Sequence, residues 1–360
     1  MVYYVIYTMS LKDIKGRGTG LNPDNRFVDL KLEILDDYLE YTKEELPRPE
    51  TQFINDNTKS ILSKNDSPDL GFSYSINPYR GCEHGCIYCY ARPTHEYLGF
   101  SSGLDFETKI MVKKDAPVLL EKEFKSKSYI PQVIMLSGNT DCFQPIERKL
   151  GITRKLLEVF LKFKNPVAII TKNSLIERDL DILTELNKLQ LVAVTMSIPT
   201  LNKELAAVME PRTATPWRRM KTVENLSKAG IFVNVNIAPV IPGLTDDTIP
   251  FVIKTASEHG AKSIGRVILR LPWQNKDLFV DWVNKNFPDR AGKILNRVRE
   301  LRSGELYLAE YGKRMRGEGK WSETISQIFR IHCEKYNMNK EKAGLRTDLF
   351  DRKPEQEKLF

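Results

Sequence analysis

Three cysteines fall within eight residues in the run Tyr79-Arg-Gly-Cys82-Glu-His-Gly-Cys86-Ile-Tyr-Cys89-Tyr-Ala-Arg92, a C-x3-C-x2-C spacing. Three soft ligands on one short loop converge readily, and thiolates select iron-sulfur clusters or zinc. A cluster usually takes four protein thiols, one for each iron. The fourth is missing here, which leaves one iron open to a small ligand and to electron transfer into it. A structural zinc bound by the same thiols with His84 or His95 satisfies ligand count equally. The chain has five cysteines, with Cys142 and Cys333 standing alone. That odd number points to a metal site in a reducing compartment, the cytoplasm, rather than to a disulfide framework.

Such a loop needs rigid elements to aim it. From residue 71 short apolar runs alternate with amphipathic helical stretches, the texture of βα units repeated around a parallel sheet. Strands are expected over residues 72–77, 133–137, 167–171, 191–197, 232–238 and 263–269, with helices over 154–164, 177–188, 217–229 and 248–259. Runs such as Val-Ala-Ile-Ile and Val-Ile-Met-Leu read as parallel strands buried on both faces. Six units make an α/β partial barrel, and chemistry in such folds collects where the strands end. The first strand leads into the cysteine loop, the second ends at Gly138-Asn139-Thr140-Asp141, and Lys172 follows the third.

The flanks differ in texture. Residues 10–70 are rich in Asn, Asp, Lys and Pro, and Lys15-Gly-Arg-Gly-Thr-Gly20 reads as flexible loop. The expected organisation is an N-terminal extension over 1–70, a barrel over 71–275, a helical basic region over 276–350 and a tail over 351–360. Residues 1–8 are apolar but lack the basic start and cleavage site of a secretory signal, and Met9 is a second candidate initiator. No stretch approaches the roughly 18 apolar residues that a membrane-spanning helix requires.

Charge is unevenly spread. The chain carries a formal charge of +8 and a pI near 9.0, with residues 29–50 at net −5 and residues 290–360 at net +6. The basic C-terminal region is the expected nucleic-acid face, above all Lys313-Arg-Met-Arg-Gly-Glu-Gly-Lys-Trp321, where cations stand beside an aromatic. A solvated surface that keeps the protein dispersed is the other reading of the same charges.

The cysteine run resembles the signature of the radical S-adenosylmethionine (SAM) superfamily. Likeness extends over roughly residues 70–350 to DNA repair photolyase-like proteins, relatives of spore photoproduct lyase. It is carried by Ser75-Ile-Asn-Pro-Tyr-Arg-Gly-Cys82, Ala91-Arg-Pro-Thr-His95, Gly103-Leu-Asp-Phe-Glu107, Asn139-Thr-Asp141 with Gln144-Pro-Ile-Glu147, Thr171-Lys172, Glu210-Pro-Arg212 and Pro239-Val-Ile-Pro-Gly243. The resemblance implies a partial (β/α)6 TIM-like barrel of the radical SAM type, with N- and C-terminal extensions. It also implies a 4Fe-4S cluster on Cys82, Cys86 and Cys89, and reductive cleavage of SAM to a 5'-deoxyadenosyl radical.

The same resemblance assigns the cofactor pocket. Tyr88 packs near the adenine, while Gly138, Asn139 and Thr140 meet the methionyl amino group. Lys172 pairs with the SAM carboxylate, unless it neutralises Asp179 or Asp181. Ser197 and Asn236 take ribose and methionyl contacts, or are buried polar groups satisfied by backbone. Arg212 and Glu210 complete an ion network below the pocket. Cys142 is the candidate hydrogen donor to a product radical, against the ordinary fate of a buried inert cysteine. Cys333, on an apolar helical stretch, is expected to pack in the core.

The leading expectation is therefore an enzyme that repairs or modifies a DNA base, with DNA and a flavodoxin- or ferredoxin-like reductant as partners. Gln356-Glu-Lys-Leu-Phe360 resembles a sliding-clamp peptide and implies docking through Gln356, Leu359 and Phe360; a strand packing back on the barrel is the other fate open to that tail. Two rival readings stand beside this one: a radical SAM enzyme acting on a peptide, tRNA or small metabolite, and a zinc-stabilised nucleic-acid-binding module without catalysis.

Overall fold

The computed structural model describes residues 16–28 and 50–354. Met9, all but the last residue of the acidic run 29–50, and the tail positions Gln356, Leu359 and Phe360 lie outside the described residues.

Among the described residues ten strands are formed: β1 (Gln52–Asn55), β2 (Leu62–Lys64), β3 (Tyr74–Ile76), β4 (Tyr79–Arg80), β5 (Lys109–Val112), β6 (Ile134–Leu136), β7 (Val167–Thr171), β8 (Val192–Ser197), β9 (Phe232–Val240) and β10 (Ser263–Ile268). Six of them pair in parallel in the order β3-β6-β7-β8-β9-β10, and β2 adds an antiparallel edge beside β3. Amphipathic helices join the later strands, among them Ile152–Phe163, Leu180–Lys188, Pro216–Lys228 and Ile249–Glu258. This is the partial α/β barrel that the alternation of runs implied, with the expected elements displaced by only a few residues.

Strand parity corrects one expectation. Side chains alternate across a strand, and one face (Val167, Ile169, Val192, Val194, Val233, Val235, Ile237) is sealed into the main core. The other face carries Ala168, Ile170, Ala193, Thr195, Asn234, Asn236 and Gly265, all only half-buried. These strands are thus not buried on both sides. The inner face of the barrel is lined with small and polar groups, and Asn234 Nδ2 donates to Thr195 Oγ1 across it (3.3 Å).

A second sheet, β1-β5-β4, lies outside the expected pattern, with β1 parallel and β4 antiparallel to β5. Its strands are two to four residues long, too short for a periodic signal. The Gly-rich N-terminal segment is also corrected, because it is not a free loop. Arg17 Nη1 donates to the Glu107 carbonyl (2.8 Å) and the Gly18 amide to Glu107 Oε2 (2.9 Å). No helix among the described residues is long and apolar enough to cross a membrane.

Candidate active site

The cysteine loop begins directly after β4. Cys82 and Cys86 are buried and Cys89 is half-buried, and all five cysteines of the chain are free thiols. The loop is held from beneath by Arg92, which has no exposed surface. Its guanidinium donates to the carbonyls of Cys86 (3.0 Å), Gly85 (3.3 Å) and Gly103 (2.9 Å), and pairs with Glu107 at 2.5 Å. Backbone packing is equally close. A Cβ on Gly18 would lie 1.7 Å from the Gly85 carbonyl oxygen, and Gly85 itself sits at φ +65°, where only glycine is unstrained.

Side contacts complete the clamp. Gln144 accepts from the Glu83 amide (2.9 Å), Glu83 accepts from the Ile146 amide (2.7 Å), and Asn275 donates to the Cys89 carbonyl (2.8 Å). The three thiols are near enough to act on one another. Burial, then Glu210, pushes the Cys86 thiol up, with Cys89 and Cys82 adding to it and Lys172 opposing. Burial followed by Cys82 does the same to Cys89.

Tyr88 donates its hydroxyl to Glu210, and Glu210 pairs with buried Arg219 at 2.5 Å. Arg219 in turn donates to the Ser197 carbonyl (2.7 Å) at the end of β8. The ion network expected of Arg212 and Glu210 is therefore divided: Glu210 takes Arg219, and Arg212 pairs with Glu83 at 3.1 Å. Nothing in the spacing marked Arg219, because a helix brings it round from nine residues away.

At the second strand end, Ser137 adopts φ +76° and its hydroxyl accepts from the Cys142 amide (2.7 Å). Asn77 Oδ1 accepts from the amides of Asn139 (2.7 Å) and Thr140 (3.2 Å), and Tyr90 donates to the Gly138 carbonyl (2.6 Å). Asp141 receives the Thr171 hydroxyl (2.8 Å) and the Lys172 amide (2.8 Å), so it ties the second strand end to the third. The Lys172 ammonium lies 5.8 Å from the centre of the Tyr88 ring. Asp179 and Asp181 are paired by Arg154 and Arg178 instead.

Ser197 and Asn236 are register partners on β8 and β9. With Lys172 they continue the inward-facing parity of Ile170, Thr195 and Asn234. Gly138, Asn139 and Thr140 follow the second strand of the barrel, Lys172 follows the third and reaches the Tyr88 ring, and Ser197 ends β8 beside Asn236 on β9. Cys142 does not join them. It has no water-accessible surface, belongs to the main apolar core, and its thiol is raised by burial. Cys333 is buried in the same core.

His84 places Nδ1 3.4 Å from Asp141 and Nε2 3.2 Å from Asn173. His95 lies against the Phe100 and Phe106 rings with neither nitrogen hydrogen-bonded, and burial lowers it to about 4. Among the described residues no three His, Cys, Asp or Glu side chains close on a point as one metal ion requires. A cluster that assigns each iron one thiol needs three thiols on a common loop rather than a single focus, and the donor set present fits that demand.

Spore photoproduct lyase, solved in complex with a dinucleoside spore photoproduct, superposes with a TM-score of 0.57 at 15% identity, over 79% of each chain. A Mycobacterium tuberculosis (strain H37Rv) protein of uncharacterised function is 32% identical over 253 residues, 69% of this chain and 73% of that protein. A Methanocaldococcus jannaschii protein, also uncharacterised, is 29% identical over 177 residues, 49% of this chain and 63% of that one. The sequence profile of the radical SAM superfamily matches residues 76–256, from β3 and the cysteine loop through to the helix before β10, and the chain belongs to that superfamily.

Proposed function

We propose that the chain cleaves SAM reductively and directs the radical at a nucleic-acid base, with repair or modification of a DNA base as the substrate class. The observation that carries this reading is three free thiols on one clamped loop, opening onto a barrel whose inner face is kept half-open by Thr195, Asn234, Asn236 and Gly265. Cys82, Cys86 and Cys89 would hold the cluster; when bound, it supplies the electron that splits SAM into methionine and a 5'-deoxyadenosyl radical.

The remaining roles belong to the chain. Lys172 offers an ammonium to the SAM carboxylate, and the turn of Gly138, Asn139 and Thr140 offers close backbone approach to the amino group. Ser197 and Asn236 stand side by side to meet the ribose and methionyl groups, Tyr88 is fixed in place for the adenine by Glu210, and Arg212 braces the loop through Glu83. Support for a nucleic-acid substrate comes from the shared fold with a lyase solved on a dinucleoside lesion and from the chain's +8 charge. A flavodoxin- or ferredoxin-like donor completes the scheme, in the cytoplasm, and sliding-clamp docking through the tail remains part of it.

The test is anaerobic reconstitution with iron and sulfide, then incubation with SAM, dithionite and either ultraviolet-damaged or intact DNA. Mass spectrometry should find 5'-deoxyadenosine with altered nucleosides on the damaged strand. Equal 5'-deoxyadenosine on both DNAs with unchanged nucleosides would remove the DNA assignment and leave the SAM chemistry. A Cys142→Ala variant run in parallel decides the hydrogen-donor role, which full turnover would eliminate.

A further inference from the structure

Beside the cysteine loop, three large aromatic side chains are left in water. Phe27 is 56% exposed, Tyr97 69% and Trp273 55%. They form one ladder. The Phe27 and Tyr97 rings stack at 4.9 Å and 24°, and the Arg26 guanidinium lies 5.1 Å from the Phe27 ring and 4.3 Å from the Trp273 ring. Arg26 is pinned by Glu96 (2.7 Å), which also receives Gln274 Nε2 (2.6 Å). Asn25 fastens the segment to the carbonyls of Glu96 and Phe100, each at 2.9 Å.

Water is a poor environment for such rings, and contiguous exposure of this kind marks a contact surface. Trp273 is held at φ +48°, an unfavourable conformation for a bulky residue, and burial of its indole does not offset that strain. Next to it, Gln274 Oε1 and Asn275 Oδ1 are buried without hydrogen-bond partners. The large hydrophobic groups exposed here are all planar rings, interleaved with a planar cation, so the patch suits a flat π-system better than an aliphatic surface. It also leads to the site, since Asn275 bonds the carbonyl of Cys89.

We infer that Phe27, Tyr97, Arg26 and Trp273 form a stacking platform for the bases of a single-stranded nucleic acid that is led into the barrel mouth. Successive bases present π-faces whatever their sequence, and a net charge of +8 favours a polyanion. The inference rests on the nucleic-acid reading above and adds the strand form and its seat.

Fluorescence anisotropy on the reconstituted full chain tests it, using DNA and RNA single strands of about a dozen nucleotides and an abasic strand of equal length. The base-bearing strands should bind more tightly than the abasic one. Phe27→Ala, Tyr97→Ala and Trp273→Ala should each weaken them by roughly tenfold while leaving abasic binding, iron-sulfur absorbance and substrate-free SAM cleavage as they were. Trp273→Phe, which keeps a ring, should restore most of the loss. Whichever strand binds tighter identifies the sugar, and base-dependent binding of either supports the platform. Equal affinity for base-bearing and abasic strands, or ring variants that bind like wild type, would overturn the platform and leave the nucleic-acid reading intact. Failure of the wild type to bind any strand would overturn both.

Discussion

Arg92 illustrates how a single residue governs the site without approaching substrate. Its charge is permanent and fully buried, and its fork reaches two carbonyls of the cysteine loop, one carbonyl of the Gly103 turn and the Glu107 carboxylate. Removing one partner of a buried pair strands the other, at a cost of about 3–5 kcal/mol. Arg92→Ala should therefore lower stability by that order in chemical denaturation and release iron during reconstitution. Arg92→Lys should not rescue iron content, because a single ammonium cannot reproduce the planar fork. The phrases Ala91–His95 and Gly103–Glu107 were legible as family likeness; their physical office, a brace under the loop, was not.

Among the elements, the segment around Gly18 matters more than its composition suggests. Glycine-rich stretches usually signal freedom, but here absent side chains permit two backbones to touch. Gly18→Ala should unseat the segment, seen as faster limited proteolysis and reduced iron per chain. Gly71→Ala, at a glycine with nothing within 4 Å, should leave both measurements unchanged. The short strands β1, β4 and β5 were invisible in the sequence for a related reason: two to four residues define no period, and their pairing is a long-range event.

For the whole molecule, the basic C-terminal region acts first as a strap. The Met315 carbonyl accepts from Ile268 on β10 (2.9 Å), while Arg314 pairs with Asp69 (2.5 Å) in the hairpin loop between β2 and β3. The segment thus touches both edges of the open sheet. Lys313 pairs with Glu310 and Glu318, and Trp321 donates to Asp246 beneath Arg297. Two of the cations expected to meet phosphate, Lys313 and Arg314, hence already have acidic partners inside the protein. Arg314→Ala should lower the melting temperature and raise protease sensitivity, whereas Arg346→Ala, which breaks an exposed pair with Asp348, should change neither.

The sequence by itself carried three thiols on one short loop and the alternation of apolar runs with amphipathic helices that builds the barrel, because thiol spacing and hydrophobic periodicity are local properties that survive any packing. Tertiary structure alone decided which charges neutralise one another, that Cys142 lies sealed in the core while Asn234 and Asn236 line an open face, and that Phe27, Tyr97 and Trp273 meet around Arg26. Those outcomes depend on contacts between residues far apart in the chain, and the free energy of such a contact is set by what surrounds it after folding.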